Sequence, residues 1–130
     1  MNGASLAFIG DAVMALYVKE HLIVSGYTKS KDLQQHSEKF LSAKGQADFV
    51  MHLLEQDYFD NDEMEIFLRG RNHKSATIPK NADVITYRLA TGLEAVWGYY
   101  HLNNQTLKLE QIWEQYKKYI GQKYETISLR

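Results

Sequence analysis

Leu6-Ala-Phe-Ile-Gly-Asp11-Ala-Val-Met-Ala-Leu16 sets one acid among ten apolar or small residues. A second such stretch lies far along the chain, Ala90-Thr-Gly-Leu-Glu94-Ala-Val-Trp-Gly-Tyr99. Neither alternates as a half-buried strand does, and both sit inside longer patterns with a 3.6-residue period. Only one proline, Pro79, occurs in 130 residues, so little interrupts such helices. The chain reads as all-α, a helical bundle around one long central helix.

Working outward from the first stretch, a helix is predicted from about Ala4 to Ser25, closed by Gly26 as a left-handed C-cap. A second starts near Ser30, where Asp32 serves the first turn, and runs to about Leu41. A third covers about Lys44 to Gln56, with Ala47, Val50, Met51 and Leu54 on one stripe. The fourth spans about Asn61 to Arg69 and is ended by Gly70, after which Arg71 to Lys80 forms the one substantial loop. The fifth, about Ala82 to Leu102, is apolar on most sides and so belongs at the centre. Asn103-Asn104 breaks it, and a last helix, about Gln105 to Ile120, turns Leu109, Ile112, Trp113, Tyr116 and Ile120 inward.

Residues 1–130 read as one domain without repeat, linker or low-complexity tract. Hydrophobic residues make up 45% of the chain, and a chain this long buries roughly two-thirds of its unfolded surface. There is no cysteine, which excludes disulfides, thiolate metal sites and a cysteine nucleophile. The apolar run Leu6–Val18 is too short to span a bilayer and lacks a basic leader. The expectation is a soluble cytoplasmic protein.

A net charge of −1 excludes a uniformly basic surface, but charge order still allows a local patch. Glu55 to Glu65 carries six acids and no Lys or Arg, whereas Arg69 to Lys80 carries Arg69, Arg71, Lys74 and Lys80 and no acid. Charge alone equally describes two solvated faces. The five histidines form no ligand-spaced cluster. Trp97, Tyr99, Tyr100, Trp113 and Tyr116 read as core aromatics rather than a base-stacking platform.

Asp11 and Glu94 are the informative residues, because an ionised carboxylate in apolar surroundings must be paired, hydrogen-bonded or metal-bound, or else hold a proton. Neither has a cation one turn away: Ala7, Phe8, Met14 and Ala15 flank Asp11, and Ala90, Thr91, Trp97 and Gly98 flank Glu94. Ala4, Ala7 and Ala15 share a helical face with Asp11, as Ala90 and Gly98 do with Glu94. Small residues let helices approach closely, so the two faces are expected to pack and bring the acids together. Two carboxylates about 4 Å apart repel by about 4 kcal/mol at an effective dielectric near 20. A divalent cation removes that repulsion, and oxygen ligands favour Mg²⁺, Ca²⁺ or Mn²⁺ over zinc. Spacing alone leaves a second reading open: Asp11 as an N-cap after Gly10, and Glu94 paired with a distant Arg.

At these same residues the sequence resembles the ribonuclease III family. Leu6-Ala-Phe-Ile-Gly-Asp-Ala-Val13 is similar to its signature helix, Leu-Glu-Phe-Leu-Gly-Asp-Ala/Ser-Val/Ile, and Leu93-Glu-Ala-Val-Trp-Gly-Tyr99 to its second motif. Arg69-Gly-Arg-Asn-His-Lys-Ser75, Pro79-Lys-Asn81 and Asp83-Val-Ile-Thr-Tyr-Arg88 resemble the small bacterial branch, Mini-ribonuclease III. That branch is an endonuclease domain without a double-stranded-RNA-binding domain.

The resemblance implies a homodimeric, Mg²⁺-dependent endoribonuclease that cuts both strands of double-stranded RNA and leaves 5′-phosphate ends. Mn²⁺ is the expected substitute. The implied role is maturation of large-subunit (23S) ribosomal RNA, with a ribosomal protein as a partner that presents the RNA. Asp11 and Glu94 match two of the full-length family's four acids and are the expected catalytic and metal-binding residues. Ala7 and Ala4 stand where that family has glutamates, and Thr91 where it has an aspartate, one turn before Glu94. Thr91 is expected either to orient a water or to bond back to a helix carbonyl. RNA grip is expected from Arg69, Arg71, Asn72, Lys74, Ser75, Lys80 and Arg88, through phosphate and 2′-hydroxyl contacts. Asp83 reads as a first-turn acid. Phe8, Ile9, Met14 and Tyr17 cannot all face one core, which suits a two-fold interface. The missing acids keep a competing expectation open: a catalytically inactive, RNA-binding or ribosome-associated relative. A third reading is an unrelated helical interaction module with two structural acids.

Overall fold

The computed structural model describes residues 1–73 and 83–124. Six α-helices follow in order: α1 Gly3–Val24, α2 Ser30–Leu41, α3 Ala43–Glu55, α4 Asn61–Arg71, α5 Val84–Leu102 and α6 Thr106–Lys123. There is no strand among the described residues.

Local chemistry accounts for most boundaries. Asn2 caps α1 by accepting from the Ser5 N–H at 2.8 Å, and Ser42 caps α3 through the Gly45 N–H at 3.0 Å. Asp60 and Glu63 form a reciprocal capping box at the start of α4. Asp83 is the N-cap of α5, accepting from the Ile85 N–H and from the Thr86 hydroxyl. Gly26 lies just beyond α1 with φ +101°, and Asn104 turns the chain between α5 and α6 with φ +54°.

Helix α5 is the centre of the bundle, with α1, α3 and α4 packed around it and α6 closing the far side. Leu93, Val96, Trp97 and Tyr100 of α5 are buried against Met14 and Val18 of α1, Phe49, Val50 and Leu53 of α3, and Ile112 and Tyr116 of α6. The five α6 residues expected to face inward are all buried, and Trp97, Tyr100, Trp113 and Tyr116 belong to the core. No helix among the described residues is long and apolar enough to cross a membrane.

Two expectations need correction. Gly70 does not end α4. It lies inside the helix, where an added Cβ would stand 2.7 Å from that of Ala95, so its smallness serves the α4–α5 contact. The buried face of α3 is Gln46, Ala47, Phe49, Val50 and Leu53, while Met51 faces out. Large Phe49 and Leu53 rotate the helix past the expected stripe. On α1, Met14 is buried and Ile9 and Tyr17 pack on the core. As expected, the four apolar residues do not all face one core: Phe8 turns out, 82% exposed, joined by Leu16 and Ile23.

Candidate active site

Glycine brings the two acids together. A Cβ on Gly10 would run into the backbone carbonyl of Glu94, and one on Gly98 into that of Leu6. Helices α1 and α5 therefore cross in backbone contact at Gly10 and Gly98, each next to or one turn from an acid. Close approach was expected from small residues, yet two glycines create it more than the alanines do.

At this crossing the carboxyls of Asp11 and Glu94 hydrogen-bond to each other. Asp11 is exposed and Glu94 half-buried. Burial, then the shared hydrogen bond and the charge of Asp11, push the Glu94 carboxyl up to about 9, so it holds a proton at neutral pH. The buried side chain of Gln46, from α3, also donates a hydrogen bond to Glu94 and pulls the other way.

A pocket of about 450 Å³ opens over the pair, lined by Ala4, Ala7, Phe8 and Asp11 of α1, His73 beyond α4, and Tyr87, Arg88, Thr91 and Glu94 of α5. The Thr91 hydroxyl donates back to the Tyr87 carbonyl at 2.9 Å, the backward bond rather than a contact into the pocket. Arg88 is exposed at the rim, the one cation among the described lining residues. No group of three or more His, Cys, Asp or Glu suited to a metal occurs among the described residues.

Arg69, Arg71 and Asn72 are not among the described residues that line this pocket. Arg69 is bound by Glu65 at 2.5 Å and reaches the Met1 carbonyl at 3.4 Å. Arg71 donates to the side chain of Asn72 at 3.1 Å, both exposed. Lys74, Ser75 and Lys80 lie outside the described residues. Sequence reading passed over Gln46, His73 and Tyr87. For Gln46 a signal existed: it is the polar member of a stripe completed by Phe49, Val50 and Leu53 at helical spacing.

Comparison with known proteins bears on this arrangement. The Ribonuclease III domain family model matches residues 4–105. A Mini-ribonuclease 3 from Streptococcus pneumoniae is 47% identical over 112 residues, covering 86% of this chain and 88% of that protein. One from Enterococcus faecalis is 39% identical over 125 residues, covering 96% and 95%. A crystal structure of a Fusobacterium nucleatum protein superposes with a TM-score of 0.78 at 27% identity, covering 95% of this chain and 94% of that one. The helical bundle, the crossing at Gly10 and Gly98 and these likenesses agree: the chain belongs to the ribonuclease III family and resembles its Mini-ribonuclease 3 members along most of its length.

Proposed function

We propose that this protein is a homodimeric, Mg²⁺-dependent endoribonuclease that cuts both strands of double-stranded RNA, leaving 5′-phosphate ends. The observation that carries the reading is the meeting of the Asp11 and Glu94 carboxyls at a pocket that Arg88 also lines, in a chain of this family.

The donor set fits Mg²⁺. Two neighbouring carboxylates under an open pocket are oxygen donors that a divalent cation would draw on, at the expense of any proton they hold. Mg²⁺ retains waters and takes one or two carboxylates plus substrate phosphate, so two protein acids under an open pocket suffice, and Mn²⁺ suits the same oxygens. When bound, the ion supplies acidified water and charge stabilisation at the phosphate oxygens. Asp11 and Glu94 would hold it, Glu94 as its ionised carboxylate. Arg88 offers positive charge to a phosphate at the rim, while Ala4, Ala7 and Phe8 wall the pocket with apolar surface. Arg69, Arg71, Asn72, Lys74, Ser75 and Lys80 would extend the grip along the RNA.

The dimer is supported by α1, whose exposed Phe8, Leu16 and Ile23 lie along one side of the helix and adjoin the pocket at Phe8. The family likeness supports, as the natural substrate in this reading, precursor large-subunit ribosomal RNA, with a ribosomal protein presenting it, in the cytoplasm.

Incubation of long double-stranded RNA with Mg²⁺, with EDTA, and with folded Asp11→Asn protein tests the reading. Cutting in the first case alone is expected. RNA binding without cutting would make the protein an inactive relative that binds RNA.

A further inference from the structure

Two polar side chains are buried in the core among the described residues, Glu63 and Gln46. Glu63 is fully engaged by Tyr100, Lys108 and the backbone of Asp60. Gln46 is 3% exposed on a face otherwise made of Ala47, Phe49, Val50 and Leu53. Its backbone N–H is spent on the Ser42 carbonyl at 3.0 Å. A buried amide without a partner costs about 1–3 kcal/mol, and its side-chain partner is Glu94, across the α3–α5 packing. Gln46 forms no part of the pocket wall, and neither does any other residue of α3.

We propose that Gln46 is a positioning residue: its amide holds the Glu94 carboxylate from behind, so that the carboxylate faces Asp11 and the pocket. The inference rests on the metal-binding reading above and deepens it. An amide suits this place because of its charge. A lysine would cancel the negative charge that a cation needs, a glutamate would add a third repelling acid, and a leucine would leave Glu94 unsatisfied on its buried side. Groups that support a metal ligand from outside its coordination sphere typically change affinity by about 10–100-fold.

The test is Mn²⁺ binding without RNA, read from the free-ion electron paramagnetic resonance signal, for wild type, Glu94→Gln, Gln46→Leu and Gln46→Met, with helicity checked by circular dichroism. Wild type is expected to bind. Glu94→Gln is expected to lose most binding, and the two folded Gln46 variants to bind about tenfold or more weakly. If Glu94→Gln weakens binding while a folded Gln46 variant binds as wild type does, Gln46 has no positioning role and the metal site stands. If wild type binds no Mn²⁺, or Glu94→Gln binds equally well, the metal reading fails and the role of Gln46 falls with it. Loss of the fold in both Gln46 variants would make the residue a core element and overturn the proposal. Methionine matches glutamine closely in volume, so that result would reflect the missing amide and not a cavity.

Discussion

Two glutamates, Glu63 buried and Glu94 half-buried, occupy opposite circumstances in this molecule. Glu63 is 4% exposed, yet it accepts from the Tyr100 hydroxyl at 2.7 Å, from the Lys108 ammonium at 2.8 Å and from the Asp60 N–H at 2.9 Å. Glu94 meets another carboxyl, that of Asp11, and one neutral amide, that of Gln46. The first environment supplies the positive charge and donors an ionised carboxylate needs, joining α4, α5 and α6 from within. The second withholds them, and the carboxyl answers by holding a proton up to about pH 9. An acid satisfied by its own protein is structural. An acid left in deficit beside another acid and a pocket is a candidate functional group.

The contrast can be broken by substitution. The largest effect expected is that of Asp11→Asn on cleavage, a loss on the order of 10³-fold, comparable to removing a principal transition-state stabiliser, with Tm close to wild type. Glu63→Ala should do the reverse: urea unfolding should show a loss of about 2–3 kcal/mol, with cleavage unchanged where the protein remains folded. A folded Glu63→Ala protein as inactive as Asp11→Asn would abolish the distinction.

Smaller in size is the pH behaviour of Glu94. Its carboxyl is raised from 4.5 to about 9, so the folded protein binds one more proton than the unfolded chain between those values. The stability this proton confers is complete below about pH 4.5 and drains away as pH rises towards 9, by at most about 1.4 kcal/mol per unit. Without metal, Glu94→Gln should therefore exceed wild type in stability at pH 8 by several-fold more than at pH 5. Parallel curves for the two proteins would show that Glu94 holds no such proton. The smallest effect is that of Tyr100→Phe, which removes one hydroxyl from Glu63 and should lower stability by about 1 kcal/mol without touching cleavage.

Much of this was legible in the chain. Helix boundaries fell within a few residues because caps and breakers are local: Gly26, Ser42, Asp83 and Asn104 act through their own backbone or immediate neighbours. The central position of α5 followed from its apolar character. Gly70 misled because a glycine inside a helix and one ending it look alike until the neighbouring helix is known. The stripe on α3 drifted for a similar reason, since only packing against α5 decides which of two adjacent faces turns inward.

The sequence by itself determined that two acids would sit in apolar helices, and that their spacing and neighbours resemble one family of nucleases. Composition and periodicity suffice for that, because burying a lone charge is costly in any fold. Tertiary structure alone decided that the Glu94 carboxyl meets both Asp11 and the amide of Gln46, and that Arg69 reaches the Met1 carbonyl while Arg88 lines the pocket. Such relations depend on the distance and orientation of helices far apart in sequence. The meeting of the two acids is set by the backbone contact at Gly10 and Gly98, whose small residues the sequence shows but whose exact crossing only packing decides.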